Sequence, residues 1–263
     1  MKERKNTIII QVRTQSIRLP NKVLALINNK PLIWHIIQRL KKCEMVEQII
    51  LATSYREEDK KLIKIANDCN ILSFVGDEDD VLSRFHQAAL KFNADPIIRI
   101  TGDCPLVDPY LLDEMLGFYV ENNYDYVSNT IIPTYPDGLD IEIFSFKSLV
   151  KAFNEAKLKS EREHVTPYIW NNPKIFLLYN YKNILDQSNY RWCVDEQPDL
   201  DLIRLIYSNF KPKFIFSFSD VIKFIESNPI ISKINEKIKR NEGYQKSMKD
   251  DKKSVWFFAL SSK

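Results

Sequence analysis

Arg13, Arg18 and Lys22 stand in the stretch QVRTQSIRLPNK (11–22), directly after the run Thr7-Ile8-Ile9-Ile10 and with no acidic residue among them. Guanidinium forks match phosphate oxygens two at a time, and an ammonium group adds a compact point charge. Together they could match the charge of a nucleoside triphosphate. The stretch is neither a P-loop nor a dinucleotide fingerprint, since both glycine patterns are absent. The other reading is a basic surface loop in solvent.

Acidic residues offer the complementary chemistry. Asp103 follows Gly102 in RITGDCPLVD, and Asp195 stands in RWCVDEQPDLDL. Mg²⁺ is typically held by one or two carboxylates plus phosphate and water, so Asp103 and Asp195 are candidate ligands. Asp103 could equally be a simple turn carboxylate, and Asp199 reads as a helix cap. In PDGLDIE, strand periodicity puts Asp140 and Glu142 on one face and Leu139, Ile141 and Ile143 on the other. Sugar hydroxyls would suit the two acids, and a polar outer strand face is the plainer explanation. A glycosidase-type acid/base pair would leave the cationic loop without a role. Arg162 and His164 could receive a carboxylate or hydroxyl, whereas His35 and His86 lie in amphipathic helices and read as structural.

The elements that must position these groups alternate in type. Residues 31–40 begin with Pro31 and carry apolar residues at helical spacing. Residues 46–53 read as a buried strand, 56–70 as an amphipathic helix, 71–75 as a strand, 80–92 as a helix and 96–101 as a strand. This alternation predicts a mostly parallel sheet covered by helices on both faces. Ligands of such sheets bind beyond the carboxyl ends of the strands. The cationic loop, Thr53 and Gly102-Asp103 all fall there, so they are predicted to be neighbours. In the second half, strands are expected at 125–129, 175–181 and 190–194, and a turn followed by a strand at 135–145. Helices are expected at 147–157 and 199–208, and at another opened by Ser160 as N-cap with Glu163 three residues on.

Composition restricts the partners. Thirty-eight basic residues against thirty-five acidic ones leave a net charge of +3, too little for a field that wraps nucleic acid or holds an anionic membrane. Cys43, Cys69, Cys104 and Cys193 are widely spaced with no C-x-x-C pair, which predicts reduced thiols in a cytoplasmic protein. The N-terminal apolar run is too short for a signal peptide, and no segment approaches the ~20 apolar residues of a membrane span. The length of 263 residues suits one domain, expected at 1–228, with a C-terminal extension at 229–263.

The segments IIIQVRTQSIRLPNKVL, ILATSYREED, GDEDDVLSRF, IRITGDCPLVDP, YPDGLDIEIF, REHVTPYI and VDEQPDLDLI occur in this order. Over residues 7–210 the chain resembles the SpsF-type cytidylyltransferases, relatives of acylneuraminate and 3-deoxy-manno-octulosonate cytidylyltransferases. KRNEGYQKSMKDD (239–251) is also similar to this group. The resemblance implies a Rossmann-like, three-layer α/β/α nucleotide-diphospho-sugar transferase fold of glycosyltransferase-A type. It implies transfer of CMP from CTP to an acidic sugar, with release of pyrophosphate, in surface polysaccharide or glycan biosynthesis. Arg13, Arg18 and Lys22 would then hold the triphosphate, with Lys22, Arg13 and Asp103 carrying the catalysis. Asp103 and Asp195 would hold Mg²⁺. Thr53 and Arg84 would lie near the nucleoside, and Asp140, Glu142, Arg162 and His164 would face the acceptor. Relatives of this kind are often dimers, and VWFFAL (255–260) could dock at a homodimer interface or pack on its own domain.

The chain departs from the family at Gln15 and Asn21, where glycine or a small residue is frequent. Fewer glycines give the backbone less freedom to close on phosphate. Two alternatives fit the same architecture. One is a nucleotidyltransferase acting on a sugar 1-phosphate or polyol phosphate, which calls for extra cations on the acceptor side. The other is a non-catalytic nucleotide-sugar-binding subunit, whose signature would be a missing metal carboxylate.

Overall fold

The computed structural model describes the backbone of residues 4–261 and the side chains of residues 4–252. In chain order its first half comprises β1 (Lys5–Gln11), β2 (Leu26–Ile27), β3 (Lys30–Pro31), α1 (Leu32–Leu40), β4 (Gln48–Ser54), α2 (Lys60–Asp68), β5 (Leu72–Gly76), α3 (Val81–Phe92) and β6 (Ala94–Thr101). There follow α4 (Pro109–Glu121), β7 (Tyr126–Ser128), β8 (Glu142–Phe144), α5 (Phe146–Glu155), α6 (Lys159–His164), α7 (Pro167–Trp170), β9 (Leu178–Asn180), α8 (Gln197–Asn209), α9 (Phe218–Glu226) and α10 (Glu242–Ser261). The main sheet has the order β5-β4-β1-β6-β8-β7-β9. β5, β4, β1 and β6 run parallel, and β8 is antiparallel to both neighbours. This is the mostly parallel, three-layer α/β architecture expected from the alternation.

Strand periodicity divides the core into two layers. Ile8, Ile10, Leu51, Ile98 and Ile100 pack on one face, against residues of α1, α2, α4, α8 and α9. Ile9, Ile50, Ala52 and Ile97 pack on the other, against residues of α3, α5 and α7. Among the described residues, no helix is long and apolar enough to cross a membrane.

The carboxyl ends of β1, β4 and β6 meet where Gly102 is required. A Cβ there would lie 2.6 Å from Val12 Cγ2 and 3.1 Å from the Gln11 carbonyl oxygen. Asp59, at the start of α2, ties the cationic loop to the end of β4. Its Oδ1 accepts from the Thr14 N–H and hydroxyl, and its Oδ2 accepts from the Thr53 hydroxyl and from the Ser54 N–H and hydroxyl. Burial would raise this carboxyl, but the donors from Ser54, Thr14 and Thr53 hold it below its usual value. A depressed folded-state pKa stabilises above the unfolded value of ~3.9 and ceases to do so as the pH falls through the folded value. Asp59→Ala is expected to cost roughly 3 kcal/mol or more, because several buried donors lose their acceptor at once. Urea unfolding at neutral pH measures this, and a loss below roughly 1 kcal/mol would refute the anchor.

Residues 135–145 form the expected turn followed by a strand, with the strand at Glu142–Phe144. Several local expectations give way to tertiary contacts. Residues 190–194 contribute one isolated bridge, Asp137 with Arg191, because their backbone is taken by loops: the Trp192 N–H donates to the Asp137 carbonyl, and the Val194 N–H to that of Asp103. Gly138 makes this docking possible with φ 106° and with Cys193 N only 2.6 Å from where a Cβ would stand. Ser160 is not an N-cap. The helix begins at Lys159, and Glu161 accepts from the Lys157 and Leu158 N–H groups. Asp199 does cap α8, accepting from the N–H groups of Asp195 and Glu196. His35 bonds the Ile27 carbonyl and His86 stacks on Phe153, both structural roles.

The segment after α9 lies along the site. Asn235 donates to Asp199 and to the Arg191 carbonyl, and the Ser160 N–H donates to Asp251. α10 packs along α6. The side chains of 255–260 lie outside the described residues.

Candidate active site

The loop after β1 closes on itself before it presents its cations. Asn21 takes the left-handed conformation, with φ 58°, which asparagine tolerates better than most residues. It therefore serves where the family resemblance implies glycine. Lys22 begins a single 3₁₀ turn, Lys22–Leu24, that drives its side chain inward. Its Nζ lies 2.8 Å from Asp103 Oδ2 and 2.8 Å from Asp195 Oδ1. Burial alone would lower the Lys22 pKa, but Asp103 and Asp195 reverse this and raise it. Burial would likewise raise Asp195, but Lys22 and Arg18 hold it at about 2, and Lys22 keeps Asp103 low against the same effect of burial. Arg18 joins the cluster, with Nη2 2.9 Å from Asp195 Oδ1 and Nη1 3.1 Å from Glu242 in α10. Arg191 braces it from behind, pairing with Asp137, Asp195 and Asp199.

Arg13 belongs to a neighbouring group. It lies 3.5 Å from Glu78, which also takes Arg56. Arg84 is buried nearby, donating from Nη1 to the Asp77 carbonyl, and among the described residues its Nε has no hydrogen-bond partner. Burial first, then the charge of Arg13, lowers its pKa to about 10. Thr53 is fully buried, with its hydroxyl committed to Asp59. It supports the loop from beneath and offers a ligand no exposed atom.

The acceptor candidates separate. Asp140 pairs with Arg240 at 2.6 Å, and Asp137 lies 3.7 Å from the same guanidinium. Burial raises the Asp140 carboxyl to about 7 although Arg240 opposes the shift. Glu142 is buried, ion-paired to Arg99 and accepting from the Tyr126 hydroxyl. Arg162 turns away, donating to Asp80 from Nε and Nη2 at 3.0 and 2.6 Å. His164 meets Ser247 at 3.1 Å and the Tyr244 ring edge-on, and burial, helped by Arg99, lowers it to about 4. The imidazole is therefore neutral at neutral pH. Arg18, Lys22, Asp103 and Asp195 thus form one constellation, Arg13 and Arg84 another, and Asp140 a third with Arg240. Arg162 and Glu142 are occupied by structural partners. Reading the sequence passed over Asp59, Arg191, Asn235, Arg240 and Glu242, and only KRNEGYQKSMKDD carried a signal for the last two.

A family model described as cytidylyltransferase matches residues 7–212. The chain belongs to the cytidylyltransferase family. It is 30% identical over 228 residues to the spore coat polysaccharide biosynthesis protein SpsF of Bacillus subtilis, covering 84% of this chain and 94% of that protein. The structure of a cytidylyltransferase from Leptospira borgpetersenii superposes with a TM-score of 0.84 at 33% identity, covering 88% of this chain and 97% of the other. A CMP:2-keto-3-deoxy-manno-octonic acid synthetase complexed with CTP shares the fold, with a TM-score of 0.62 at 18% identity over 78% of this chain and 99% of the other.

Proposed function

We propose that this chain transfers CMP from CTP to an acidic sugar of the 2-keto-3-deoxy class and releases pyrophosphate, as a step of surface polysaccharide or glycan synthesis. The observation that carries the reading is the convergence of Asp103 and Asp195 on one cation, 2.8 Å from each, with Arg18 alongside. Two carboxylate oxygens aimed at one point, beside guanidinium and ammonium groups, suit a hard divalent ion together with a phosphate chain. Asp103 and Asp195 would hold Mg²⁺, which when bound would polarise the α-phosphate and lower the pKa of the acceptor hydroxyl. In this reading Arg18 and Lys22 bind the triphosphate and stabilise charge on the departing pyrophosphate, and Arg13 steadies the nucleotide from the side of Glu78. The acceptor oxygen bonds to the α-phosphorus as the bond to the bridging oxygen breaks, and the hydroxyl proton passes to solvent. Positioning and charge stabilisation dominate such transfers. Asp140 and Arg240 face the acceptor. The acids there fit hydroxyl groups better than they fit the dianion of a sugar phosphate.

Thermal unfolding with Mg²⁺ and each of CTP, UTP, ATP and GTP tests the donor. A ligand at a hundred times its Kd stabilises by ~2.7 kcal/mol, which for a chain of this size raises Tm by roughly 5 °C or more. The expected result is a shift with CTP alone. No shift with any nucleotide would overturn the reading.

A further inference from the structure

The two carboxylates that face Lys22 have a second side, and it is lined with sulfur. Asp103 Oδ2 and Asp195 Oδ1 point at the ammonium group, whereas Asp103 Oδ1 accepts from Cys104 Sγ at 3.6 Å and Asp195 Oδ2 from Cys193 Sγ at 3.8 Å. An Asp103 oxygen and the sulfurs of Cys104 and Cys193 all lie within 4.8 Å of one another. Both cysteines are free thiols. Their sequence separation hides the pair. The β6 loop supplies Cys104, and the Trp192–Val194 segment, held down by Gly138, supplies Cys193. Zinc bonds of ~2.3 Å to sulfur and ~2.0–2.2 Å to oxygen, at tetrahedral angles, place neighbouring donors about 3.6–3.8 Å apart. The sulfur–oxygen separation at Cys104 already has that value, and partial exposure of Asp103 leaves a route in.

We propose that Asp103, Cys104 and Cys193 form a site for a thiophilic divalent cation of the zinc and cadmium class, and that its occupancy excludes the donor nucleotide. Binding turns two thiols into thiolates and releases two protons to solvent, with no change of oxidation state. The fourth position falls to solvent, because Asp195 Oδ2 is held by Arg191 Nη2 at 2.7 Å. Hard ions prefer the all-oxygen side and soft ions the sulfur side, so Asp103 is contested between them. The exclusion rests on the donor reading given above, and the metal site itself does not.

The test titrates the reduced full-length chain with Cd²⁺ and follows cadmium–thiolate absorption in the near ultraviolet. The expected result is a band that saturates at one equivalent. It should survive Cys43→Ser with Cys69→Ser and be lost in Cys193→Ser and in Cys104→Ala. Changing even an outer partner of a metal ligand costs about 10–100-fold in affinity, so loss of a ligand is expected to weaken binding more than about 100-fold. No band at one equivalent, or an unchanged band in folded Cys193→Ser or Cys104→Ala, overturns the site. One equivalent of zinc should also abolish the CTP-dependent rise in Tm of the wild type. A cadmium band with an undiminished CTP shift overturns the exclusion alone. No CTP shift even without zinc overturns the donor reading, and the exclusion with it, while the cadmium result still decides the site.

Discussion

Lys22→Met is expected to lower pyrophosphate release from CTP by about a hundred- to a thousandfold, the usual effect of removing one preorganised charge-stabilising donor. Methionine keeps most of the buried stem, so the change is chiefly in charge. It leaves Asp103 and Asp195 facing each other without the ammonium group 2.8 Å from each. The loss should therefore come with a second signature. In the wild type both carboxyls have depressed pKa values, Asp195 at about 2. The stability they contribute is present above the unfolded carboxylate value and disappears only as the pH falls through the folded values. In the variant these values rise, and acid unfolding should begin at higher pH. Turnover close to wild type in a folded Lys22→Met protein would remove Lys22 from the mechanism.

Arg240→Ala is expected to act on the other half of the reaction. Arg240 pairs with Asp140 and stands beside the Asp137–Arg191 pair, and it comes from the segment between α9 and α10. Removing it leaves Asp140, already raised to about 7, with less reason to ionise. The acceptor KM is expected to rise about 10–100-fold, the scale of a hydrogen bond to a charged group, while the CTP-dependent shift in Tm stays as in wild type. Acceptor saturation curves at fixed CTP, with N-acetylneuraminate and 3-deoxy-manno-octulosonate as probes, separate the two terms. An unchanged acceptor KM would confine Arg240 to holding the segment in place.

The first hundred residues were legible because each element announces itself locally. β1, β4 and β6 are apolar runs, α2 and α3 carry one apolar face, and the connections are short. α4 was harder to read, because apolar residues stand on both its faces: Leu111, Leu112, Met115 and Leu116 are buried while Tyr110 and Val120 are exposed. Its buried positions do follow helical spacing, but Tyr110, Phe118 and Val120 dilute the outer face that carries Asp113, Glu114 and Glu121, so the contrast between the two faces is weak. α9 did carry one, since Ser217 and Asp220 bond reciprocally at capping-box spacing, but with aspartate in place of the usual glutamate. Within the site, Asp103 could be read because it follows β6 through Gly102, Lys22 because it closes an acid-free cationic stretch, and Asp195 from an expected strand that the structure reduces to one isolated bridge. The contacts of Arg240 and Glu242 could not. They join residues 100 and 224 positions apart, side chain to side chain, and no local pattern encodes such a pairing. Thr53 was misplaced for the opposite reason: its position at a strand end was correct, but Asp59 had already claimed its hydroxyl.

The ammonium group between Asp103 and Asp195 has a thermodynamic corollary. The resting protein carries its own counterion at the place a hard cation would take, so a bare ion gains little by entering and must first evict a lysine that has nowhere better to go. On the proposed reading a triphosphate would change the balance, because its oxygens would give Lys22 and Arg18 new partners at the moment the carboxylates are vacated. Ion and nucleotide would then promote each other's binding, and by reciprocity the gain would be the same whichever is added first. In calorimetry, Mg²⁺ added alone to millimolar concentration should give almost no heat. The same addition in the presence of CTP should give a saturable one, so that the protein behaves as a coincidence detector for the two.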